Sequence, residues 1–251
     1  MIDLHSHILP GVDDGAKSVQ QSARVLRHFA DRGVTHVACT PHLLASQVPA
    51  GFPLAYETAW DALRPVCPKE ITLHRGVELM LDRPVPHEVA ERHLTIAGSR
   101  YLLVEFARMV PAEIVARALA DVTDHGLIPV LAHPERYSSC TVDTVRTWRE
   151  VGTIMQVDAT TLTAEGSRAE RARDLVRHGL ADILAGDNHG DERCIATALD
   201  WLTEQDGGDQ AVMMLDTNPR AIIEDRALYE VDPLPVARSI WRRMRNMLGD
   251  E

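Results

Sequence analysis

The sequence predicts an α/β barrel of seven β/α units, a (β/α)7 relative of the eight-stranded barrel. Three observations lead there. Seven short apolar segments recur along the 251 residues. They are rich in Val, Ile and Leu and too short for buried helices, as strands covered on both faces are. Segments of helical periodicity alternate with them, and His, Asp and Glu recur where the apolar segments end. A doubly wound open sheet is the alternative architecture.

The predicted strands are Ile2–Leu4, His36–Cys39, Ile71–Val77, Tyr101–Glu105, Ile128–Ala132, Ile154–Val157 and Ile183–Ala185. The first predicted helix, Lys17–Arg32, carries Val19, Ala23, Leu26 and Ala30 on one face, with Gly33 placed to cap it. Pro111 opens the next helix, which runs to Asp124 before Gly126. Thr141–Glu150, Ala164–His178 and Ile195–Glu204 follow the same rule. Between Leu44 and Pro68 the pattern is irregular. It reads as a long Pro-containing loop with one short helix around Tyr56–Leu63.

Length and composition fit a single domain spanning residues 1–251, with 45% hydrophobic and 25% charged residues. A net charge of −11 argues against a nucleic-acid-binding surface, which needs clustered cations. Arg outnumbers Lys 24 to 2, which reads as compositional bias. The start, Met1-Ile2-Asp3-Leu4-His5, does not look like a secretory signal, and no apolar run approaches the ~20 residues that span a bilayer. Cys39, Cys67, Cys140 and Cys194 show no zinc-ribbon spacing, so a reduced, cytoplasmic protein is expected.

The chemistry sits at predicted strand ends. His5 and His7 follow the first strand, His42 the second, and Glu78 and Glu105 end the third and fourth. His133 ends the fifth, and Asp187 and His189 follow the seventh. In a parallel barrel all strand C-termini open on one face, so these side chains converge. Imidazole and carboxylate together suit divalent Zn, Fe or Mn. In His5-Ser6-His7 the period-two spacing lets both rings reach one ion. Taken singly, His42, His133 or His189 is more readily a satisfied core histidine. A carboxylate ending a buried strand has no such cheap explanation.

In this order, Met1-Ile2-Asp3-Leu4-His5-Ser6-His7, Val12-Asp13-Asp14-Gly15, Thr40-Pro41-His42, Gly76-Val77-Glu78, Leu103-Val104-Glu105-Phe106, Ala132-His133-Pro134-Glu135-Arg136-Tyr137 and Gly186-Asp187-Asn188-His189 resemble the PHP (polymerase and histidinol phosphatase) superfamily. Asp13-Asp14-Gly15 and His133-Pro134-Glu135-Arg136-Tyr137 point to its branch of bacterial manganese-dependent protein-tyrosine phosphatases of capsular and exopolysaccharide synthesis. The resemblance implies a distorted (β/α)7 barrel of the PHP type holding two to three divalent ions, Mn foremost, with Fe or Zn as alternatives. It implies a first ion on His5, His7, Glu78 and Asp187, and a second on bridging Glu78 with Glu105 and His133. A third would take His42, His189 and Asp14, with Asp13 the alternative to Asp14. Gly186 stands where the family more often has Ser or Thr, and Asp158 where it usually has Asn. The implied substrate is phosphotyrosine on the Tyr-rich tail of a bacterial tyrosine kinase.

For a phosphate ester, clustered divalent ions lower the pKa of bound water towards ~7 and stabilise the attacking and leaving oxygens. Arginine complements them with a planar fork that fits phosphate. Arg136, three residues after His133, and Arg193, four after His189, are the predicted catalytic arginines. A salt bridge at the barrel rim is the structural alternative for both. Cys140 and Arg146 match the spacing of a cysteine-phosphatase loop, but the intervening Thr-Val-Asp-Thr-Val lacks the glycines that let backbone N–H groups cradle phosphate. The competing functions are a small-molecule phosphatase, such as one acting on histidinol phosphate, and a non-catalytic metal-binding regulator.

Overall fold

The computed structural model describes residues 1–50, 53–91 and 94–235. Among them the strands are β1 (Ile2–Ser6), β2 (His36–Cys39), β3 (His42–Leu44), β4 (Thr72–Arg75), β5 (Glu78–Met80), β6 (Tyr101–Glu105), β7 (Ile128–Ala132), β8 (Ile154–Asp158) and β9 (Ile183–Ala185). Every pairing is parallel. The helices are α1 (Val19–Asp31), α2 (Leu54–Leu63), α3 (Glu88–Glu91), α4 (Ala112–Asp124), α5 (Val142–Glu150), α6 (Ser167–Arg177), α7 (Ala196–Glu204), α8 (Gly208–Val212) and α9 (Asn218–Ile223).

Two of the seven predicted staves are broken in the middle. β2 and β3 are one stave interrupted at Thr40-Pro41, and β4 and β5 another interrupted at Gly76-Val77. Pro41 has no N–H to give a ladder, which ends β2 there. Across the gap the Glu78 N–H donates to the Pro41 carbonyl at 3.1 Å. Register survives, since His36 pairs with Thr72 and His42 with Glu78 at the same offset. The predicted strand Ile71–Val77 is therefore shorter than expected, and its stave resumes at Glu78.

The breaks divide the wall into sheets ordered β1-β2-β4 and β3-β5-β6-β7-β8-β9. The ring closes where Ser6 bridges Asn188, with Asp187 N–H donating to the His5 carbonyl (2.9 Å) and His7 N–H to the Asn188 carbonyl (2.8 Å). That closure decides against an open sheet. One cluster of core side chains fills the barrel, including Ile2, Leu4, Tyr101, Leu103, Val130, Ala132 and Ile183. A larger one lies between wall and helices. Period-two alternation then sends Glu105 inward above Leu103 on β6, and Gln156 and Asp158 inward above Ile154 on β8.

The helices follow their sequence signals closely. Ser18 caps α1 by accepting from Gln21 N–H, and Thr141 caps α5 by accepting from Thr144 N–H. Gly33 and Gly126 follow α1 and α4 at φ +81° and +76°, the left-handed turn that glycine reaches without strain. The buried Trp148 ties α5 to α4 through Nε1–H to the Ala112 carbonyl at 3.1 Å. The short helices between Gly208 and Ile223 were not expected from the sequence. Among the described residues no helix is long and apolar enough to cross a membrane.

Asp182, before β9, is a buried joint at the opposite end from the candidate site. Its Oδ2 accepts from Met155 N–H at 2.8 Å, and Oδ1 lies 3.1 Å from the Arg149 guanidinium. Burial pushes its carboxyl up to about 6, against the pull of Arg149. The folded state thus binds this proton more tightly than the unfolded chain, whose value is near 3.8. The associated stability is complete below about pH 4 and is lost as pH rises through about 6. At ~1.4 kcal/mol per pKa unit, Asp182→Asn should gain stability relative to wild type by order 2 kcal/mol between about pH 4 and 7. Melting temperatures across that range test this, and a constant difference would contradict it.

Candidate metal centre

The strand ends bring together all nine predicted metal-ligating side chains. His5 ends up beside His7, Glu78 and Asp187 in one group, and His42 beside Glu78 and Glu105 in a second. His7, Asp14, His42 and His189 form a third. His133 reaches the cluster differently, with Nε2 2.8 Å from Glu78 Oε1, the oxygen turned away from His5 and His7. His133 and Asp187 both sit at positive φ, 35° and 45°. Such left-handed backbone costs a non-glycine residue ~1–3 kcal/mol and is typical of functional sites.

The first group has the spacing of a coordination shell. His5 Nε2 and His7 Nε2 lie 3.1 Å apart, and each is 3.3 Å from Glu78 Oε2 and 3.3 Å from Asp187 Oδ1. Atoms placed tetrahedrally ~2.0–2.1 Å from one ion are about 3.3–3.4 Å apart. The imidazoles are turned for this. His5 Nδ1–H donates to Gln156 Oε1 and His7 Nδ1–H to Asp13 Oδ2, both at 2.8 Å. Each Nε2 therefore presents a lone pair, as in metal sites whose histidines are held from behind. Glu78 Oε2, Asp187 Oδ1 and His42 Nδ1 are buried and make no hydrogen bond. Lone pairs converging in a buried space repel unless a cation lies among them, so this donor set fits divalent metal.

The other groups repeat the spacing. His42 faces both ways, with Nδ1 2.9 Å from Glu78 Oε2 and 3.1 Å from Glu105 Oε1, and Nε2 3.4 Å from Asp14 Oδ1. His189 Nε2 is 3.3 Å from the same Asp14 oxygen, while its Nδ1–H donates to the Asp187 carbonyl at 2.9 Å. Asp13 and Asp14 thus face different ways. Asp14 presents an oxygen to two histidines, whereas Asp13 holds His7 and accepts from the backbone of Gly15 and His42. The turn depends on Gly15, where a Cβ would lie 1.9 Å from the His7 carbonyl oxygen.

The electrostatics agree. Burial opposes charge on His42, but Glu105 and Glu78 raise its pKa to about 10. Burial likewise opposes ionisation of Asp187, yet His5, His7 and Arg136 hold it well below the usual carboxylate range. The pocket draws in positive charge.

The two predicted catalytic arginines are placed differently. Arg136 Nη2 donates to Asp187 Oδ2, directly behind the first group, and to Asp158 Oδ2 at 3.2 Å. Arg193 is paired with Asp191 (2.8 Å) and makes no ion pair with the clustered carboxylates among the described residues. Sequence reasoning passed over Gln156 and Arg168. Gln156 was accessible from alternation, because it shares the inner face of β8 with Ile154 two residues earlier. Arg168 donates to Asp158 Oδ2 at 2.9 Å, and no sequence pattern marks it among 24 arginines. The Cys140–Arg146 pair is no phosphate loop. Cys140 is buried, burial and Glu135 push its thiol up to about 12, and Arg146 pairs with Asp143 on α5.

A parallel barrel that gathers imidazoles and carboxylates at its strand ends in this way defines a barrel metallohydrolase. The chain belongs to the CpsB/CapC family of capsular polysaccharide synthesis, whose family model matches residues 1–224. It is 29% identical over 249 residues to the tyrosine-protein phosphatase YwqE of Bacillus subtilis, covering 95% of this chain and 97% of that one. It is 26% identical over 248 residues to the tyrosine-protein phosphatase CpsB of Streptococcus pneumoniae, covering 91% and 100%. A solved structure from work on YwqE and CpsB, described there as unique metal-dependent tyrosine phosphatases, superposes with a TM-score of 0.78 at 26% identity, covering 95% of this chain and all of the other.

The different placement of the neighbouring aspartates is testable by metal analysis. Asp14→Ala should lower the number of divalent ions bound per chain. Asp13→Ala should keep the number at saturation but weaken affinity ~10–100-fold, the usual effect of losing a group that orients a ligand. Equal effects of the two changes would contradict the assignment.

Proposed function

We propose that this chain is a metal-dependent protein-tyrosine phosphatase of capsular or exopolysaccharide synthesis, acting on phosphotyrosine in the tail of a bacterial tyrosine kinase. The observation that carries the reading is the buried set of His5, His7, Glu78 and Asp187 atoms at tetrahedral spacing. It is supported by the phosphatase relatives that span the chain. His5, His7, Glu78 and Asp187 would hold one ion, with Glu78, Glu105 and His133 available to a second. Asp14, His42 and His189 would serve a third. Manganese is the proposed metal, with iron or zinc as alternatives. Bound divalent ions supply water of lowered pKa and neutralise charge on the phosphoryl group.

The chain's own groups do the rest. Gln156 and Asp13 fix the His5 and His7 rings from behind, so that their Nε2 lone pairs need no reorientation. Arg136 keeps one nitrogen on Asp187 and Asp158, and its guanidinium, mostly buried at the edge of the cluster, binds phosphoryl oxygens. A phenolate leaving group, with a pKa of ~10, needs little help from an acid. Arg193 is proposed as a secondary contact that must leave Asp191 to reach substrate.

Turnover of a phosphotyrosine peptide and of histidinol phosphate, measured before and after chelation and after Mn2+ is restored, tests the proposal. The peptide should be the better substrate, chelation should abolish turnover, and Cys140→Ser should leave it near wild type. Full activity in verified metal-free protein, or a ~10²-fold fall in kcat for Cys140→Ser, would overturn it. Preference for histidinol phosphate would favour the small-molecule phosphatase.

A further inference from the structure

We propose that Asp158 and Arg168 form an outer bracket that sets how far the Arg136 guanidinium is available to the phosphoryl group. The inference rests on the phosphoryl-binding role read for Arg136. Asp158 ends β8, and its carboxylate is immobilised from two sides. Oδ1 accepts from the Thr160 N–H at 2.9 Å and the Thr160 hydroxyl at 2.7 Å. Oδ2 accepts from two guanidinium groups, Arg168 Nη2 at 2.9 Å and Arg136 Nη2 at 3.2 Å. That same Arg136 nitrogen also donates to Asp187 Oδ2. The two hydrogens of one Arg136 nitrogen therefore go to two carboxylates, Asp187 within the first ligand group and Asp158 beside it.

How the division falls depends on Arg168. Asp158 is buried, and among the described residues Arg136 and Arg168 are the cations paired with it. A buried carboxylate with too little positive charge beside it is costly, so it claims whatever cation remains. Arg168, from the first turn of α6 and more exposed than Arg136, makes the shorter bond and shares the charge of Asp158 with it. Arg136 is left lightly held on that side and committed to Asp187. Without Arg168, Asp158 would draw Arg136 towards itself, away from Asp187 and from an incoming phosphate. Among the described residues Arg168 is paired with the centre through Asp158 alone, so it acts as a positioning residue. Nearby Glu135 is fully buried and its Oε1 accepts from the Asp158 N–H at 3.1 Å, while burial and Asp158 push its carboxyl up to about 8, so it adds no charge there at neutral pH. A second carboxyl group thus sits beside the bracket, with Arg171 Nε–H engaged by the Glu135 carbonyl instead.

Calorimetric binding of inorganic phosphate to the metal-loaded full-length chain tests this. Metal content, melting temperature and kcat/KM on a phosphotyrosine peptide are measured alongside. Arg136→Ala comes first, and if it leaves phosphate affinity unchanged, the underlying reading of Arg136 fails. With that role intact, Arg168→Ala should weaken phosphate binding about tenfold at unchanged metal content, and adding Asp158→Asn should restore most of the loss. Arg168→Lys, which keeps the charge, should stay near wild type. An Arg168→Ala protein that melts lower but binds phosphate normally would reduce the pair to a structural ion pair and overturn the bracket. A double variant as weak as Arg168→Ala would mean direct contact of Arg168 with phosphate, which also overturns it. Should Arg168→Ala not fold, Asp158→Asn alone decides, because a released Arg136 should bind phosphate at least as tightly as wild type and weaker binding would contradict the proposal.

Discussion

The buried carboxylate of Glu78 is the constraint around which the site is built. It is fully inaccessible, and four imidazoles face it. His5, His7 and His42 approach Oε2 at 3.3, 3.3 and 2.9 Å, and His133 approaches Oε1 at 2.8 Å. Taking a carboxylate out of water costs several kcal/mol even after relaxation, so it persists only where positive charge or donors repay that cost. His5 and His7 come from the end of β1, His42 from the start of β3 and His133 from the end of β7. The loops that deliver them are therefore tied to one point, and the small breaks in the barrel wall serve that point. Interrupting both staves at Thr40-Pro41 and Gly76-Val77 in matching register sets His42 directly opposite Glu78.

Much of this was legible in the sequence, because strand and ligand signals coincide. Residues such as Val104 and Leu131 mark buried strands, and Glu105 and His133 follow them where a parallel barrel opens. The glycines after α1 and α4 are local signals that tertiary contacts did not override, whereas the caps Ser18 and Thr141 were counted inside their helices. The stave breaks were harder to see. Pro41 reads as a stop, and only the neighbouring stave shows that the ladder resumes at the same offset. The short helices after Gly207 carry no long apolar period, so burial of Met214, Leu215 and Ile222 against the barrel, rather than local propensity, fixes them.

At the site, residue types were readable and orientation was not. A His-x-His spacing says that both rings share a face. It does not say that Gln156 and Asp13 would hold their far edges, since those contacts join residues 151 and 6 positions apart. The same holds for the arginines. Motif position pointed to Arg136 first and Arg193 second, and the fold separates them further by placing Asp187 and Asp158 beside one and Asp191 beside the other. The chain from Asp187 through Arg136 and Asp158 to Arg168 is a product of tertiary structure, assembled from the ends of β8 and β9, the turn after β7 and the start of α6. It joins Asp187 of the His–carboxylate cluster to Arg168 on α6 in one charged network, so changes at its far end should be felt at the cluster.

The central claim is that the converging lone pairs of His5, His7, Glu78 and Asp187 enclose a divalent ion. Anomalous diffraction from crystals of the protein purified with its native metal, recorded above and below the absorption edges of Mn, Fe and Zn, tests it most directly. The account predicts an element-specific peak ~2.0–2.2 Å from His5 Nε2, His7 Nε2, Glu78 Oε2 and Asp187 Oδ1, with further peaks beside His42. Ordered protein that shows these four side chains in place, with only water or hydrogen bonds between them at saturating metal, would contradict it.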